Sequence, residues 1–266
     1  MKVDGKTLIV TGGGNGIGRQ VVLDLLGRGA AVAAVDIRQE SLDETAALAA
    51  AGDRLATFVV DITDHDATEA LPRQVIESLG SLDGVVNVAG IIQPFVKFAD
   101  LDEATMRRVL DVNLWGTINV TKAALPHLVE RPEAHILNVS SMGGFLPVPG
   151  QTMYGASKAA VKLLTEALWT ELNGTGVGVT VVMPGGVSTD ITKNSGVDMP
   201  GGAGADESKF PMTTPQDAAR KIVDAIERNK LHVYIGKDST AMGLLVRLAP
   251  KQAARLIQRQ MKSLLG

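Results

Sequence analysis

Seven short runs of valine, isoleucine and alanine recur along this chain, and longer segments of helical period separate them. Apolar runs of this length are typical of strands buried on both faces of a parallel sheet. The runs are TLIVTG (7–12), AVAAVDI (31–37), LATFVVDI (55–62), DGVVNVAG (83–90), AHILNVS (134–140), VGVTVVMP (177–184) and HVYIG (232–236). Strict alternation of strand and helix predicts an α/β fold, a doubly wound parallel sheet of about seven strands with helices on both faces.

The domain organisation follows from length and period. With 266 residues, 45% of them hydrophobic, the chain is long enough for one large core, so we expect a single domain over residues 1–240. Residues 185–214 are rich in glycine, proline and serine, and we interpret them as a mobile substrate lid, with a passive insertion as the alternative. The predicted helices cover residues 17–28, 41–51, 66–79, 103–125, 154–172 and 215–229.

Charge and composition exclude several partners and chemistries. The formal net charge is −3 and no basic arm is present, so we expect no nucleic-acid partner. The chain has no cysteine, which excludes disulfides and thiol catalysis. The four histidines lack the spacing of metal ligands, so we expect no metal site.

The two ends of the chain bear on its location. The N-terminal MKVDGKTLIVTGGG lacks the features of a signal peptide, and no stretch approaches the ~20 apolar residues that span a bilayer, so we expect a cytoplasmic protein. Residues 241–266 carry five basic residues and no acid, and after Pro250 apolar and basic residues fall on opposite helical faces. This basic amphipathic extension suits a membrane surface. A subunit contact or a substrate-lid helix fits the same pattern, and both alternatives stay open.

A glycine-rich turn joins the first strand to the first helix, in the order Gly12, Asn15, Gly16, Ile17 and Gly18. Glycines let the backbone turn tightly and approach a pyrophosphate, whose charge then lies at the helix N-terminus. The spacing is G-x-x-x-G-x-G, and a glycine turn without a ligand is the alternative. The turn therefore predicts a dinucleotide site.

Asp36 ends the second strand, where a carboxylate can accept hydrogen bonds from both ribose hydroxyls of the adenosine. The same charge repels a 2′-phosphate, so we expect NAD as the cofactor. Arg38 would favour a phosphate, but Asn15 supplies no second cation. A helix-start cap is the alternative role for Asp36.

Two further motifs close later strands: Asn87-Val88-Ala89-Gly90 the fourth, and Ser140-Ser141 the fifth. Asn113 lies in the VNLWGT segment, and Tyr154 and Lys158 lie in a helical segment. With the glycine turn, these motifs resemble the short-chain dehydrogenase/reductase family over residues 5 to about 236. The resemblance implies a Rossmann-type catalytic domain, a homotetramer or homodimer, and the catalytic residues Asn113, Ser141, Tyr154 and Lys158. Ser141 is preferred to Ser140 because the family's serine lies thirteen residues before the tyrosine. Val88 departs from the family's usual second asparagine.

The resemblance also implies further contacts to the dinucleotide. Asp61 and Ile62 would flank the adenine, Asn87 and Gly90 would line the ribose, and Val187 and Thr189 would hold the nicotinamide amide. The remaining implied contacts are Ala89, Tyr154, Lys158, Pro184 and Gly185.

Tyr154 and Lys158 lie four residues apart in a helical segment, so their side chains share one face. A tyrosine with a pKa near ~10 would need a fall of about 3 units to work at neutral pH, and one ammonium at ~4 Å supplies about that much. Our hypothesis is that Tyr154 is the general acid/base and that Ser141 fixes the substrate oxygen. Resemblance assigns Lys158 to the nicotinamide ribose, and Asn113 to a water that links Lys158 to solvent. The alternative for Tyr154 is a half-buried tyrosine without a catalytic role.

The residues near this site indicate the substrate. Few charges accompany the apolar side chains of Met142, Phe145, Leu146, Val148, Met153, Val197, Met199 and Phe210. We therefore expect a small-molecule substrate, a lipophilic secondary alcohol or ketone such as a steroid, terpenoid or long-chain lipid. Packing in the core is the alternative role for these residues.

Three other functions stay open. One is an NADPH-dependent 3-oxoacyl carrier-protein reductase, which shares the same four catalytic residues. Another is a dinucleotide-binding protein without catalysis, and the third is a non-redox epimerase or lyase on the same scaffold.

Overall fold

The computed structural model describes residues 1–197 and 212–261. Seven strands form one sheet in the order β3-β2-β1-β4-β5-β6-β7, and every neighbouring pair is parallel. The strands are β1 (Thr7–Thr11), β2 (Ala31–Asp36), β3 (Leu55–Val59), β4 (Gly84–Asn87), β5 (Ala134–Val139), β6 (Val177–Pro184) and β7 (His232–Ile235). The predicted doubly wound α/β sheet is confirmed.

Helices cover both faces of the sheet, and each face has its own apolar core. The helices are α1 (Gly16–Gly27), α2 (Gln39–Ala49), α3 (His65–Leu79), α4 (Glu103–Leu110), α5 (Gly116–Val129), α6 (Thr152–Glu171), α7 (Ile191–Ser195), α8 (Pro215–Glu227), α9 (Lys237–Leu248) and α10 (Pro250–Gln260). Successive strand residues point to opposite faces. Leu8 and Val10 therefore pack with α1 and α8, whereas Ile9 between them packs with α3 and α5.

The order of strands changes direction at β1, whose neighbours are β2 and β4. The crossovers on the two sides of this point leave the sheet in opposite directions, which opens a crevice beyond the carboxyl ends of the strands. The glycine turn after β1 and the segment after β4 both lie at this crevice.

The structure divides the single helix expected over residues 103–125. A π-helical turn, Asp111–Trp115, separates α4 from α5. Within it the side chain of Asn113 is fully buried, and the Thr117 hydroxyl donates to the Asn113 carbonyl at 2.9 Å. The wider turn thus directs Asn113 into the protein, because one extra residue per turn changes the face on which a side chain lies.

The C-terminal helices pack against the segment that follows Ser141. A small apolar cluster joins this segment to α9 and α10, and its members are Met142, Phe145, Leu146, Met242, Leu245, Val246, Ala253, Ile257 and Met261. Lys251, Arg255 and Arg259 lie on the exposed face of α10. Among the described residues, no helix is both long and apolar enough to cross a membrane.

Candidate active site

The glycine turn is shaped by close backbone contacts. Gly12 has a φ of +69°, a conformation that favours glycine, and a Cβ on Gly18 would lie 2.0 Å from the Gly12 carbonyl oxygen. Asn15 caps α1 by accepting a hydrogen bond from the Gly16 N–H. The glycine turn therefore packs closely against the first turn of α1. The N–H groups of that first helical turn have no partners within the helix.

Arg19 braces this turn from behind. Its guanidinium donates to the Gly14 carbonyl at 2.9 Å and forms an ion pair with Glu44 at 2.6 Å. The Thr45 hydroxyl donates to the Gly13 carbonyl at 3.0 Å. These contacts fix the loop to α2. Sequence reasoning missed them because the partners are far apart in the chain.

Asp36 faces the glycine turn. Its carboxylate accepts hydrogen bonds from the Gly14 N–H at 3.0 Å and from the Arg38 N–H at 3.2 Å. The position before α2 is occupied by Arg38, and no side chain caps that helix, so Asp36 is not a helix cap. The Arg38 guanidinium donates to the Asn194 side chain at 3.2 Å.

A cleft of about 550 Å³ opens at this edge of the sheet. The predicted cofactor residues that line it are Gly12, Asn15, Gly16, Ile17, Gly18, Asp36, Asp61, Ile62, Ala89, Gly90 and Thr189. Sequence reasoning missed the contributions of α4 and α7, which are Ala104, Arg107, Arg108, Ile191 and Asn194. The cleft thus joins the glycine turn, the end of β2 and the end of β4.

Six predicted cofactor residues do not line this cleft: Asn87, Tyr154, Lys158, Pro184, Gly185 and Val187. The Asn87 amide is buried and donates to the Thr121 hydroxyl at 3.0 Å and to Asn138 at 2.8 Å, so its side chain does not line the cleft as predicted. Pro184 ends β6, and the Gly185 N–H donates to the Ile235 carbonyl at 2.8 Å. Val187 packs against the core beside α1.

The first part of the predicted lid lies against the site. The Ser195 hydroxyl accepts a hydrogen bond from the Ile92 N–H at 3.0 Å, and Val197 is buried. Asp238, in the first turn of α9, accepts a hydrogen bond from the Gly186 N–H at 2.8 Å. Met199 and Phe210 lie outside the described residues.

Tyr154 and Lys158 lie one turn apart on α6. Burial raises the pKa of Tyr154, and a hydrogen bond between its phenol and Ser141 opposes that rise. Burial lowers the pKa of Lys158 to about 8. The Lys158 ammonium donates to the Val139 carbonyl at 3.0 Å. The expectation that Lys158 lowers the pKa of Tyr154 is therefore not met in this structure, where burial is the largest influence on the phenol.

The two adjacent serines have different surroundings. The Ser140 hydroxyl is buried and donates to the Lys158 carbonyl at 2.6 Å. The Ser141 hydroxyl accepts a hydrogen bond from the Gly143 N–H at 3.0 Å and also bonds to the phenol of Tyr154. Ser141 is thus the serine next to the candidate acid/base, and Ser140 anchors α6.

Asn113 connects the π-helical turn to its surroundings. Its amide oxygen accepts from the Ile91 N–H at 2.8 Å, and its nitrogen donates to the Ile91 carbonyl at 2.9 Å and to Ser157 at 3.0 Å. A Cβ on Gly90 would lie 3.1 Å from both the Asn113 oxygen and the Lys158 nitrogen. Gly90 therefore allows the chain to pass between these two side chains.

The donor set at the cleft fits a dinucleotide. The first turn of α1 offers N–H groups and a positive dipole end to a pyrophosphate. Asp36 offers a hydrogen-bond acceptor at the end of β2. A Cβ on Gly16 would lie 3.4 Å from the Thr189 methyl group, so a side chain at position 16 would narrow the gap between the glycine turn and Thr189.

Comparison with known proteins identifies the class. Residues 6–199 match the family model of the short chain dehydrogenases, so the chain belongs to the short-chain dehydrogenase/reductase family. Members of this family are oxidoreductases that act on CH–OH groups and bind a nicotinamide dinucleotide.

Particular relatives are similar over most of the chain. A Mycobacterium tuberculosis protein named SadH is 33% identical over 264 residues, which are 96% of this chain and 94% of SadH. The 1-deoxy-11-beta-hydroxypentalenate dehydrogenase of Streptomyces exfoliatus is 31% identical, over 90% of this chain and 86% of that enzyme. A Burkholderia phymatum short-chain dehydrogenase/reductase, solved with NAD, shares the fold with a TM-score of 0.83 at 24% identity and 96% coverage of both chains.

Proposed function

We propose that this protein is an NAD-dependent alcohol dehydrogenase or ketone reductase for a lipophilic secondary alcohol or its ketone. The observation that carries the proposal is the hydrogen-bonded pair of Ser141 and Tyr154, with Lys158 one helical turn away. Asn113 completes the set of four residues.

The proton steps follow from the side chains. The nicotinamide dinucleotide, when bound, takes the hydride from the alcohol carbon or supplies it to the ketone carbon. Tyr154 donates its proton to the ketone oxygen in reduction and accepts the hydroxyl proton in oxidation. Ser141 orients the substrate oxygen by a hydrogen bond. The raised pKa of Tyr154 keeps its phenol protonated, which is the form that reduction requires.

Oxidation requires the phenolate. Because the pKa of Lys158 is about 8, its side chain is an ammonium at lower pH values. A cation near the phenol favours loss of the phenol proton. The two groups lie on one helix, so a small shift of Lys158 away from the Val139 carbonyl changes its distance from the phenol. Lys158 is thereby assigned to proton transfer as well as to the cofactor ribose.

The selection of NAD is argued from Asp36. A 2′-phosphate at the end of β2 would meet this carboxylate, and like charges in contact disfavour binding. Arg38 and Arg108 line the same cleft and act in the opposite sense. Arg38 is already bonded to Asn194. The Burkholderia phymatum relative was solved with NAD, which supports the same choice.

The substrate class is argued from the surroundings of Ser141. Met142 and Phe145 follow it by one and four residues and pack on the apolar faces of α9 and α10, so the wall on this side is apolar. Leu146 is fully buried in that cluster and serves packing. The Streptomyces exfoliatus relative is named for a hydroxypentalenate substrate, which is consistent with an alcohol on a hydrocarbon skeleton.

The test is a matrix of substrates and cofactors. NADH or NADPH formation is followed for steroid, terpenoid, long-chain and short polar secondary alcohols with the native protein and with Asp36→Asn. Turnover of lipophilic alcohols with NAD, and a gain in NADP use by Asp36→Asn, is expected. Activity restricted to NADP(H) favours the carrier-protein reductase, and absence of hydride transfer in either direction favours the non-redox or non-catalytic alternative.

The C-terminal helices are proposed as a wall of the substrate side. Ile257 and Met261 of the stripe that suited a membrane pack against the segment after Ser141, whereas Leu256 is exposed. A membrane contact would have to use the outer face, where Leu244, Leu248 and Leu256 are exposed. Sedimentation with anionic vesicles distinguishes the two. A homotetramer or homodimer and a cytoplasmic location remain predictions, and light scattering tests the first.

A further inference from the structure

Gln93 lies in the segment after β4, and its side chain is completely buried. Its carboxamide oxygen accepts hydrogen bonds from the Met153 N–H at 2.8 Å and from the Tyr154 N–H at 3.0 Å. Its amide nitrogen donates to the Gly150 carbonyl at 3.0 Å. Both ends of the carboxamide therefore bind the backbone where α6 begins.

This contact replaces an ordinary helix cap. The first N–H groups of a helix have no partner within it, and the residue before the helix usually supplies a side-chain acceptor. Gln151 holds that position in α6, and its side chain makes no such bond. The Gln151 amide instead donates to the main-chain carbonyl of Gln93 at 2.7 Å. Gln93 thus caps α6 from a distant part of the chain.

The segment that carries Gln93 is itself held at each residue. Ile91 is bonded through both its N–H and its carbonyl to Asn113, and the Ile92 N–H is bonded to Ser195. The position of Gln93 is therefore set by the π-helical turn and by α7. Because Gln93 binds the Tyr154 N–H, the position of Gln93 in turn determines the position of Tyr154.

We propose that Gln93 is a positioning residue for Tyr154, acting by holding the first turn of α6 so that the phenol stays beside Ser141. This inference rests on the proposed acid/base role of Tyr154. The Tyr154 N–H is one of the two groups that Gln93 binds, so a shift of this turn moves the ring directly. Gly143 lies beside the ring, since a Cβ added there would lie 3.3 Å from the Cε1 atom of Tyr154.

An uncharged acceptor is the feature that a carboxamide provides. A carboxylate at a helix N-terminus is attracted by the helix dipole, so Gln93→Glu should keep the two bonds to the Met153 and Tyr154 N–H groups, although it loses the donor to the Gly150 carbonyl. It would also place a negative charge at the Tyr154 N–H, which opposes loss of the phenol proton. Glu at this position should therefore keep α6 in place and raise the pKa of Tyr154.

The first experiment compares Gln93→Met, Gln93→Glu and Gln151→Met, with 2-decanol and NAD as the substrates. Gln93→Met fills the same volume without the acceptor, and we expect kcat to fall by ~10- to 100-fold, the cost of a small misplacement of a reacting group. The Kd for NADH, measured by fluorescence, should stay within about twofold of native, because the glycine turn is untouched.

The two companion variants separate positioning from stability. Gln93→Glu, compared at its own pH optimum, should regain most of the lost kcat. Gln151→Met removes an amide from the same junction but leaves the bonds to Met153 and Tyr154, so it should lower the melting temperature without lowering kcat. A Gln93→Met enzyme with native kcat, or an equal loss in Gln151→Met, would overturn the proposal.

A second experiment needs no substrate. The chain has two tyrosines, so in a Tyr234→Phe background the ultraviolet absorbance of tyrosinate reports on Tyr154 alone. Gln93→Glu should raise the pKa of Tyr154 in this titration, and an unchanged pKa contradicts the proposal even if Gln93→Met does not fold. Tyr154→Phe distinguishes failure of the proposed function from failure of the role of Gln93. Native turnover in Tyr154→Phe would remove the proposed acid/base function. An inactive Tyr154→Phe together with a fully active Gln93→Met would remove only the role of Gln93.

Discussion

The two ends of the sheet hold buried charge in opposite ways. At the amino end, Asp83 is 1% exposed, and its carboxylate accepts from the Thr7 N–H at 3.0 Å and from the Arg131 guanidinium at 2.8 Å. At the carboxyl end, Lys158 is 4% exposed, and the partner of its ammonium among the described residues is a carbonyl, that of Val139. Since an unpaired buried charge costs stability, the amino end stabilises the fold, and the carboxyl end keeps a charge available for chemistry.

The largest expected effect concerns the carboxyl end. Tyr154→Phe should lower kcat by ~10²- to 10⁴-fold, the usual loss of a general acid/base, and should leave the melting temperature unchanged. Tyr234→Phe is the matched control, since its ring packs edge-on against Phe145 at 5.8 Å and needs no hydroxyl for that contact. Near-native turnover in Tyr154→Phe would show that the carboxyl end of the sheet does not carry the acid/base chemistry.

Asp83→Asn tests the amino end. Asp83 is buried and Arg131 is 38% exposed, so removing the charge of Asp83 should lower the free energy of unfolding by about 2–3 kcal/mol, with kcat unchanged. The exposed pair of Glu103 and Arg107 is the control, and Glu103→Gln should cost less than about 0.5 kcal/mol. Urea denaturation measures both. Equal effects in the two variants would show that burial of Asp83 does not strengthen its contacts.

His135 gives the amino end a pH dependence. Burial lowers its pKa from 6.5 to about 3, and its Nε2 atom lies 2.8 Å from the Thr180 hydroxyl. That hydroxyl donates to the Lys230 carbonyl at 2.6 Å, so it accepts from a neutral His135 that carries its proton on Nε2. The unfolded chain binds a proton below pH 6.5 and the folded chain does not. The stability is therefore complete above pH 6.5 and is lost as the pH falls toward 3.

The loss between pH 7 and pH 4 from this one group should be roughly 2–3 kcal/mol. His135→Gln, which keeps a donor for Thr180, should reduce the fall in unfolding free energy by that amount. His65→Gln is the control because His65 is exposed. Denaturant unfolding at pH 7, 5.5 and 4 measures the slopes, and parallel slopes for native and His135→Gln would refute the assignment.

The smallest expected effect is a gain in stability at the carboxyl end. The pKa of Lys158 is lowered from 10.5 to about 8, so below pH 8 the folded protein carries a buried ammonium at a cost, and above pH 10.5 neither state is charged. Lys158→Met should raise the unfolding free energy at pH 7 by about 1–2 kcal/mol, after the lost bond to Val139 is subtracted.

This gain should shrink at pH 10, and activity should be lost. Melting temperatures at the two pH values are the measurement. Lys162→Met is the control, because Lys162 is paired with Glu166 at 2.7 Å and its removal should not stabilise the protein. A Lys158→Met protein that is less stable than native at pH 7 would mean that the carboxyl end is not a stability cost.

The sheet could be predicted because each strand is a local apolar run. The bounds were less accurate: the third run was expected over residues 55–62, and β3 ends at Val59. The helix expected over residues 103–125 is divided because Asn113 binds Ile91, a partner 22 residues earlier. Hydrophobic periodicity predicts which face of a helix is buried. It does not predict that a side chain such as Asn113 is bonded to the backbone of a distant residue.

The site shows the same division. The glycine turn and the four catalytic candidates form local motifs, and the structure places Ser141, Tyr154 and Lys158 near one another. Gln93 was missed because the backbone groups that it caps lie as many as 61 residues later. The buried position of the Asn87 side chain had a local signal. Val85 packs on the face of α3 and α5, and Asn87, two residues further along the strand, points to the same face.

The packing of α9 and α10 gives the molecule an order of assembly during synthesis. All seven strands precede these helices in the chain, because β7 ends at Ile235. A nascent chain can therefore complete the sheet, the glycine turn and Asp36 before residues 237–261 leave the ribosome. The segment after Ser141 gains its apolar neighbours only afterwards. The glycine turn and Asp36 are thus in place first, and the segment after Ser141 is packed by the last helices to be made.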